Sequence, residues 1–215
     1  MTEAMQKKIE NGREYRKMIL EVKEAEDNND YEVKGYATTF DEPYTLYGIG
    51  DGKVVKEQVS KDAFLNTDRS DTIMQYDHEG RVFARVSNDT LKLTVDDHGL
   101  LVEAYLGGTE IGRNLYEEIK GGYTNKMSFG FTVTDDDFVE ADYGYLRTIK
   151  AIGKLYDVSA VSIPANDFTE ISARSHCDGA IAEIEAERLR AEEEARKLAE
   201  QKESLSERLK ALRKD

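Results

Sequence analysis

Up to about residue 163, most of the chain alternates apolar with polar residues and is rich in aromatic and β-branched side chains. This period of two is typical of strands that bury one face in a core. Between residues 15 and 47 it predicts an antiparallel pair, broken by the polar turn EDNND. Further strands are predicted at 72–76, 81–87, 91–95, 100–106, 127–134, 145–152 and 155–163. The pattern therefore predicts a mainly β fold with a few helices, of the α+β class.

Two segments in this part of the chain predict helices. Residues 60–66 predict a short helix that Ser60 caps, with Phe64 and Leu65 pointing inward. Residues 109–120 have apolar side chains four apart, begin with a threonine that can act as a cap, and are followed by two glycines that end a helix. Between two of the strands, the Asp-His-Gly sequence at 97–99 predicts a tight hairpin turn with residues that tolerate positive φ.

After Arg174 the composition changes to Ala, Glu, Arg, Lys and Leu without proline. A heptad spacing relates Ile184, Ala191, Leu198, Leu205 and Leu212, whereas the partner positions of the repeat are only partly apolar. The segment therefore predicts a long amphipathic helix with weak coiled-coil character. We expect two domains: a core at 1–174 and a helical tail at 175–215, joined by a linker near residues 172–179.

The charge balance narrows the choice of partners. The net charge is −14 and the pI is about 4.8, which argues against binding to a phosphate backbone, so we expect protein or peptide partners and no nucleic acid. Cys177 is the only cysteine, no apolar run is long enough for a membrane span, and the start has no apolar signal core. These features together indicate a reducing cytoplasm.

The sequence offers no set of metal ligands. No His or Cys pair has ligand spacing, and Asp135, Asp136 and Asp137 lack the glycine and glutamate that a calcium loop requires. We expect this triplet to form a solvated turn. The glycine pairs at 107–108 and 121–122 are not followed by the Gly-Lys-Ser/Thr of a phosphate-binding loop. We therefore expect neither a metal nor a cofactor.

The candidate catalytic residues lie in two segments that interrupt the strand pattern. Ser128 lies in KMSFGFTV and His78 in MQYDHEG, each where an apolar strand pattern meets a glycine. A serine hydroxyl becomes a good nucleophile only when an imidazole accepts its proton and a third group orients that imidazole. Asp157, in KLYDVSAVSIPAND, is a candidate for this third group. The order His, Ser, Asp and the absence of Gly-x-Ser-x-Gly argue against an α/β-hydrolase.

Each candidate also has a structural alternative. Ser128 could be a strand serine with a neighbouring partner, His78 a surface turn histidine, and Asp157 a cap or ion-pair partner at a strand edge. Asp167 and His98 are the alternative third members. The third histidine of the chain lies in the predicted linker.

Six segments, in this order, carry a resemblance to a known family: VKGYATTFDEP, VSKDAFLNT, YDHEGRVFARV, TLKLTVDDHGLLVEAYL, GRNLYEEIKGGYTNKMSFGF and RTIKAIGKLYDVSAVSIPAND. From about Glu14 to Arg174 the chain resembles the prohead maturation proteases of tailed bacteriophages, which are related in fold to the herpesvirus assembly proteases. The resemblance implies a herpesvirus-protease-like β-barrel followed by the C-terminal amphipathic helix.

The same resemblance assigns roles to the candidate residues. It implies that Ser128 is the nucleophile, His78 the base and Asp157 a carboxylate where the herpesvirus enzymes have a second histidine. It suggests Arg147 as a helper in stabilising the oxyanion. Gly130, in the same motif as Ser128, is expected to let a substrate backbone approach the strand.

The implied function is that of a serine endopeptidase in virion maturation. It would work inside the procapsid, in the cytoplasm of the bacterial host, on scaffold or on the scaffolding portion of the major capsid protein, and finally on itself. The helical tail would allow self-association. The alternative is a non-catalytic capsid scaffold or assembly chaperone that retains the protease fold.

Overall fold

The computed structural model describes residues 11–18, 23–24, 31–161 and 166–212. Contacts within the chain define two compact units, Met1–Arg174 and Ser175–Asp215. The division between them lies where the composition of the sequence changes. The expectation that these units are separate domains stays a prediction.

Strands dominate the first unit. The described residues form β1 (Glu14–Met18), β2 (Lys23–Glu24), β3 (Glu32–Thr39), β4 (Tyr44–Gly50), β5 (Lys53–Val59), β6 (Ile73–Tyr76), β7 (Glu79–Arg85), β8 (Leu91–Val95), β9 (Gly99–Tyr105), β10 (Lys126–Ala141) and β11 (Gly144–Val161). The helices are α1 (Glu110–Lys120) and α2 (Asn166–Leu212), and two 3₁₀ turns span Lys61–Phe64 and Val86–Asn88. None of the helices in the described part of the chain is long and apolar enough to span a membrane.

In the described part of the chain, the larger sheet has seven strands and is built around the long hairpin of β10 and β11. Its main order is β1-β10-β11-β5-β4, and β6 and β7 extend it from another stretch of β11. The beginning of β11 pairs in parallel with β5, whereas residues 157–160 pair in parallel with β6. The smaller sheet has the order β2-β3-β9-β8. Side chains from both sheets and from α1 meet in one hydrophobic core.

The fold is mixed α+β with two sheets, and the predicted closed barrel is wrong. Closure would require each strand to be hydrogen bonded on both sides. In the described residues, β1 and β4 end the order of the larger sheet, and β2 and β8 end that of the smaller one. The register of β10 against β11 shifts at several points from Gly130 to Asp136, which are bulges that bend and twist the hairpin. β11 therefore exchanges one parallel neighbour for another instead of continuing a single ladder.

Several local predictions are confirmed. α1 begins after Thr109, whose hydroxyl accepts from the backbone N–H of Gly112 at 3.1 Å, and it ends at the predicted glycine pair. Ser60 caps the first 3₁₀ turn through the N–H of Asp62. Phe64 is buried there, but the inward orientation predicted for its neighbour Leu65 is wrong, because Leu65 is 73% exposed.

Other local predictions fail for identifiable reasons. The aspartate triplet at 135–137 lies within β10 and is not a turn. The hairpin predicted between β8 and β9 is confirmed, but its tip at 97–99 has no positive φ; the Asp96 carboxylate accepts from the backbone N–H groups of His98 and Gly99 there. The sequence reading also missed β5. Residues 172–179, predicted as a linker, are instead part of the helix α2, which begins at Asn166. The last two residues of the strand predicted at 155–163 lie outside the described residues.

Candidate active site

His78 lies in the tight turn that joins β6 to β7. Tyr76 pairs with Glu79 across this turn, and its two central residues have positive φ, 49° at Asp77 and 61° at His78. This is the pattern of a type I′ turn, although residues other than glycine seldom adopt such angles. The backbone N–H of Asp77 donates to the carbonyl of Ala160 at 3.0 Å, which holds the turn against β11. The His78 side chain is buried, unlike that of a surface turn histidine.

The hairpin of β10 and β11 brings the serine and the carboxylate to the same face of the sheet. Ser128 is directly opposite Ser159, and Gly130 is directly opposite Asp157. Side chains alternate between the faces of a strand, and directly opposed residues share a face, so the four positions line one surface. β6 lies beside this stretch of β11 and carries His78 to it.

These side chains form a continuous hydrogen-bonded chain. His78 Nε2 is 2.7 Å from Ser128 Oγ, and His78 Nδ1 is 2.5 Å from Asp157 Oδ1. The Ser159 hydroxyl donates to the same Asp157 oxygen at 2.8 Å. All four side chains are buried. The arrangement is that of a nucleophile, a base and an acid that orients the base.

The absence of a side chain at residue 130 is a packing requirement. A Cβ atom at Gly130 would lie 2.5 Å from Asp157 Oδ2 and 2.6 Å from a ring carbon of Tyr15. Both distances are far below van der Waals contact. This glycine makes room for Asp157 and for the ring that covers it. The expectation that it also admits a substrate backbone stays a prediction.

Tyr15, on β1, is a neighbour that the sequence analysis missed. Its ring packs edge-on against that of His78, with centroids 4.5 Å apart. Burial, reinforced by the nearby Asp157 carboxylate, raises the pKa of Tyr15 to about 12. No local pattern signals this contact, because it depends on the pairing of β1 with β10.

Arg147, expected near the oxyanion, belongs to a buried ion cluster. Its guanidinium donates to Glu14 at 2.7 and 2.9 Å, to Glu57 at 2.8 Å and to Asp136 at 2.6 Å. Arg16 is the second cation of this cluster and pairs with the same two glutamates. Glu14, Glu57 and Asp136 are not members of the hydrogen-bonded chain of Ser128, whereas the backbone carbonyl of Arg16 accepts a hydrogen bond from Ser128 Oγ at 2.6 Å. The role of Arg147 at an oxyanion stays a prediction, and its contacts indicate a structural role.

The charged side chains of the ion cluster shift the pKa values of their neighbours. Burial alone would raise the pKa of Glu14, but Arg16 and Arg147 outweigh it and lower the pKa to about 2. Although burial opposes its charge, hydrogen bonds and attraction from Glu14 and Glu57 raise the pKa of Arg147 above its ordinary value. Tyr44 donates to Glu57, and burial together with that carboxylate raises the pKa of Tyr44 well above its usual range.

Of the alternative third members, His98 has a described side chain, and it does not join the hydrogen-bonded chain. His98 lies at the tip of β8 and β9, where its ring packs edge-on against Tyr36 with centroids 4.6 Å apart. Asp167 lies in α2, and its side chain is outside the described residues. In the described part of the chain, no group of three or more His, Cys, Asp or Glu side chains could hold a metal ion.

A buried Ser–His–Asp hydrogen-bonded chain is the arrangement that serine hydrolases use. Residues 18–180 match the family described as caudovirus prohead serine protease, and the chain belongs to that family. It is therefore of the serine peptidase type and of the kind that acts in capsid maturation, inside the procapsid in the host cell and in association with capsid proteins. No curated protein and no solved structure shows significant similarity to the chain.

Proposed function

We propose that this chain is a serine endopeptidase in which Ser128 is the nucleophile, His78 the general base and Asp157 the group that orients His78. The observation that carries the proposal is the hydrogen-bonded chain from Ser128 Oγ through both imidazole nitrogens to Asp157. Three side chains from separate strands and a turn meet in the order that acyl transfer requires. Family membership independently supports a serine peptidase.

The reaction proceeds by acyl transfer. Ser128 Oγ attacks the scissile carbonyl carbon while His78 Nε2 takes the hydroxyl proton, which gives a tetrahedral oxyanion. Collapse of this intermediate breaks the C–N bond, and His78 returns the proton to the leaving amine. Water then attacks the acyl ester with the same base, which releases the acid and restores the serine. Backbone N–H groups are the usual donors to the oxyanion.

Asp157 acts through His78. Its Oδ1 accepts from Nδ1–H, which leaves Nε2 facing Ser128 and favours the imidazolium that forms during attack. Ser159 holds the same oxygen by a second hydrogen bond. Ser159 is therefore a positioning residue, and its loss should affect the rate less than the loss of Asp157.

Scaffold, or the scaffolding portion of the major capsid protein, is the proposed substrate, and self-cleavage is the proposed last step. Support comes from the family, whose members act in the prohead. The tail helix continues to Leu212 with mostly exposed side chains through residue 206, and we propose that it mediates self-association or binding to scaffold.

One observation favours the alternative of a non-catalytic scaffold or assembly chaperone. Ser128 has no solvent exposure, so no substrate reaches it in this conformation. A catalytic protein must therefore open this site, and a chaperone need not.

Co-expression with the major capsid protein of the same phage separates the two functions. We expect mass spectrometry to find cleaved capsid protein or scaffold with the unaltered chain, and no cleavage with Ser128→Ala or His78→Ala. A fluorophosphonate should label Ser128 and no other serine, and His78→Ala should abolish the labelling. Cleavage that persists in folded Ser128→Ala would overturn the proposal.

A further inference from the structure

β1 covers the candidate nucleophile. It pairs antiparallel with β10, with Lys17 opposite Ser128 and Tyr15 opposite Gly130. The Arg16 carbonyl accepts a hydrogen bond from Ser128 Oγ at 2.6 Å, and the Tyr15 ring lies against His78. Two parts of this short edge strand, one backbone carbonyl and one ring, thus close the site.

The contact with Arg16 makes the covered site unreactive. The Ser128 hydroxyl has a single proton, and both the Arg16 carbonyl and His78 Nε2 lie within hydrogen-bond distance of its oxygen. A proton donated to the carbonyl is not available to the base, although nucleophilic attack requires that transfer. The hydroxyl also meets the carbonyl at its oxygen, whereas attack must occur at the carbon. β1 therefore lies where a scissile chain would lie, in a geometry that does not react.

β1 is a short strand at the edge of the larger sheet. It has five residues, and no second strand flanks it in the described part of the chain. The match to the family begins at residue 18, so nearly all of β1 lies outside the matched region, whereas Ser128, His78 and Asp157 lie inside it. A short edge strand opens more readily than a central one. Its departure would expose an edge of β10 that can pair with another extended chain.

We infer that β1 occupies the substrate groove, and that an extended substrate chain replaces it, antiparallel to β10, with an arginine or lysine in the position of Arg16. This inference rests on the proposed function. The residue in that position carries the carbonyl that meets Ser128, so the cleaved bond follows the basic residue.

The preference for a basic residue follows from the charges that β1 leaves behind. The Arg16 side chain is fully buried and donates to both carboxylate oxygens of Glu57. Glu14 and Arg16 depart together as a neutral pair. Glu57, Asp136 and Arg147 remain, which are two carboxylates and one guanidinium with a net charge of −1. A basic side chain restores the balance, whereas an acidic side chain would be buried against like charge.

A reversible lock on β1 tests whether it must leave. Met18 is directly opposite Met127 in the β1–β10 register, and directly opposed positions are close enough for a disulfide after small adjustments. The full-length chain would carry Met18→Cys and Met127→Cys with Cys177→Ser, so that only one disulfide can form. The control has the same background and Met127→Cys alone. Labelling of Ser128 by a fluorophosphonate is measured with and without reductant.

We expect the oxidised double variant to label at least tenfold more slowly than its reduced form, while the control does not respond to reductant. Equal labelling of both forms would overturn the inference that β1 occupies the substrate groove. It would leave the proposed function intact, because a strand that never leaves can be locked in place without a change in the labelling rate. The absence of labelling in the reduced form, the control and the unaltered chain alike would overturn the proposed function and this inference with it.

A second experiment tests the basic position. Arg16→Ala should loosen β1 and speed labelling of Ser128 about tenfold, whereas Lys34→Ala, which removes a surface ion pair with Glu103, should not. The peptide NGREYRKMIL, which repeats residues 11–20, should slow labelling of the Arg16→Ala chain, and NGREYEKMIL should not. Equal protection by both peptides would overturn the basic preference, and protection by neither would contradict the groove. A mapped capsid-protein cleavage that follows an acidic residue would also overturn the basic preference.

Discussion

Two buried polar clusters share the strands β1, β10 and β11 and are stabilised in different ways. The ion cluster combines two arginines with three carboxylates, and nearly every polar atom pairs with an opposite charge. The cluster of Ser128, His78 and Asp157 has a single carboxylate, held by an imidazole and a hydroxyl. β1 contributes to both clusters, with Glu14 and Arg16 on one face and Tyr15 on the other.

The difference separates a stabilising role from a chemical one. Opposite charges that hold each other make the ion cluster inert, and breaking such a buried set is costly because a charge remains unpaired. The serine cluster is a chain of single hydrogen bonds along which a proton can move, and removing one hydroxyl leaves no charge behind. We therefore expect changes in the serine cluster to alter the cleavage rate, and changes in the ion cluster to alter stability. Arg16→Ala should also alter the reactivity of Ser128, because it weakens the attachment of β1.

The largest expected effect is that of Ser128→Ala. Loss of the nucleophile should reduce capsid-protein cleavage by roughly 10⁵- to 10⁶-fold, as in other enzymes of this kind, without lowering the melting temperature. Ser159→Ala is the matched control, because Ser159 is equally buried and directly opposite on the neighbouring strand. It should lose only about tenfold. If the two variants lose activity equally, Ser128 has no special role.

Asp157→Asn should have the next largest effect. The amide keeps the shape of the side chain but can hold His78 in the wrong tautomer, so the cleavage rate should fall roughly 10⁴-fold with little change in melting temperature. The cleavage rate and a thermal melt of the same sample check this. A nearly normal rate would show that Asp157 is not the third member.

Arg147→Met should act on stability. It leaves Glu14, Glu57 and Asp136 with a single guanidinium, and removing one partner of a buried ion pair costs about 3–5 kcal/mol in the free energy of unfolding. Lys150→Met is the matched control on the same strand, because its ion pair with Asp137 is half exposed and should contribute less than about 1 kcal/mol. Urea unfolding compares the two. Equal stability of both variants would remove the distinction between the clusters.

The ion cluster should also make stability depend on pH. The folded pKa of Glu14 is about 2, below its ordinary value of 4.5. The unfolded chain therefore binds more protons in this interval, so the contribution is complete above pH 4.5 and is lost as the pH falls towards 2. It is at most about 3 kcal/mol. Urea unfolding between pH 5 and 2.5 should show this loss, and Glu14→Gln should reduce the slope. An unchanged slope would contradict the lowered pKa.

Gly130→Ala should have the smallest effect, and it should lower both the stability and the cleavage rate. Its Cβ would press on Asp157 and Tyr15, and overpacking of this kind costs about 1–3 kcal/mol in stability, with a lower cleavage rate as Asp157 moves. Gly48→Ala is the control, because no atom lies closer than 4.0 Å to its Cβ position. Melting temperatures and rates of both variants check this. A fully active, stable Gly130→Ala would show that the packing at this position is loose.

The sequence by itself determined the features that depend on neighbouring residues. Thr109 and the glycines after Lys120 define α1, because helix caps act over three or four residues. The strand pattern around Ser128 and Asp157 was equally readable, and their nomination with His78 needed only residue type and context, together with a resemblance that spans much of the chain.

Only the tertiary structure decided which strands became neighbours. The contact of Ser128 with Arg16 joins residues 112 positions apart, and nothing local distinguishes the buried Arg16 and Arg147 from surface arginines. The same holds for β11, which pairs with β5 along one stretch and with β6 along another within the larger sheet. A strand pattern specifies which face is buried but not the partner strand, because that choice depends on long-range packing and on bulges.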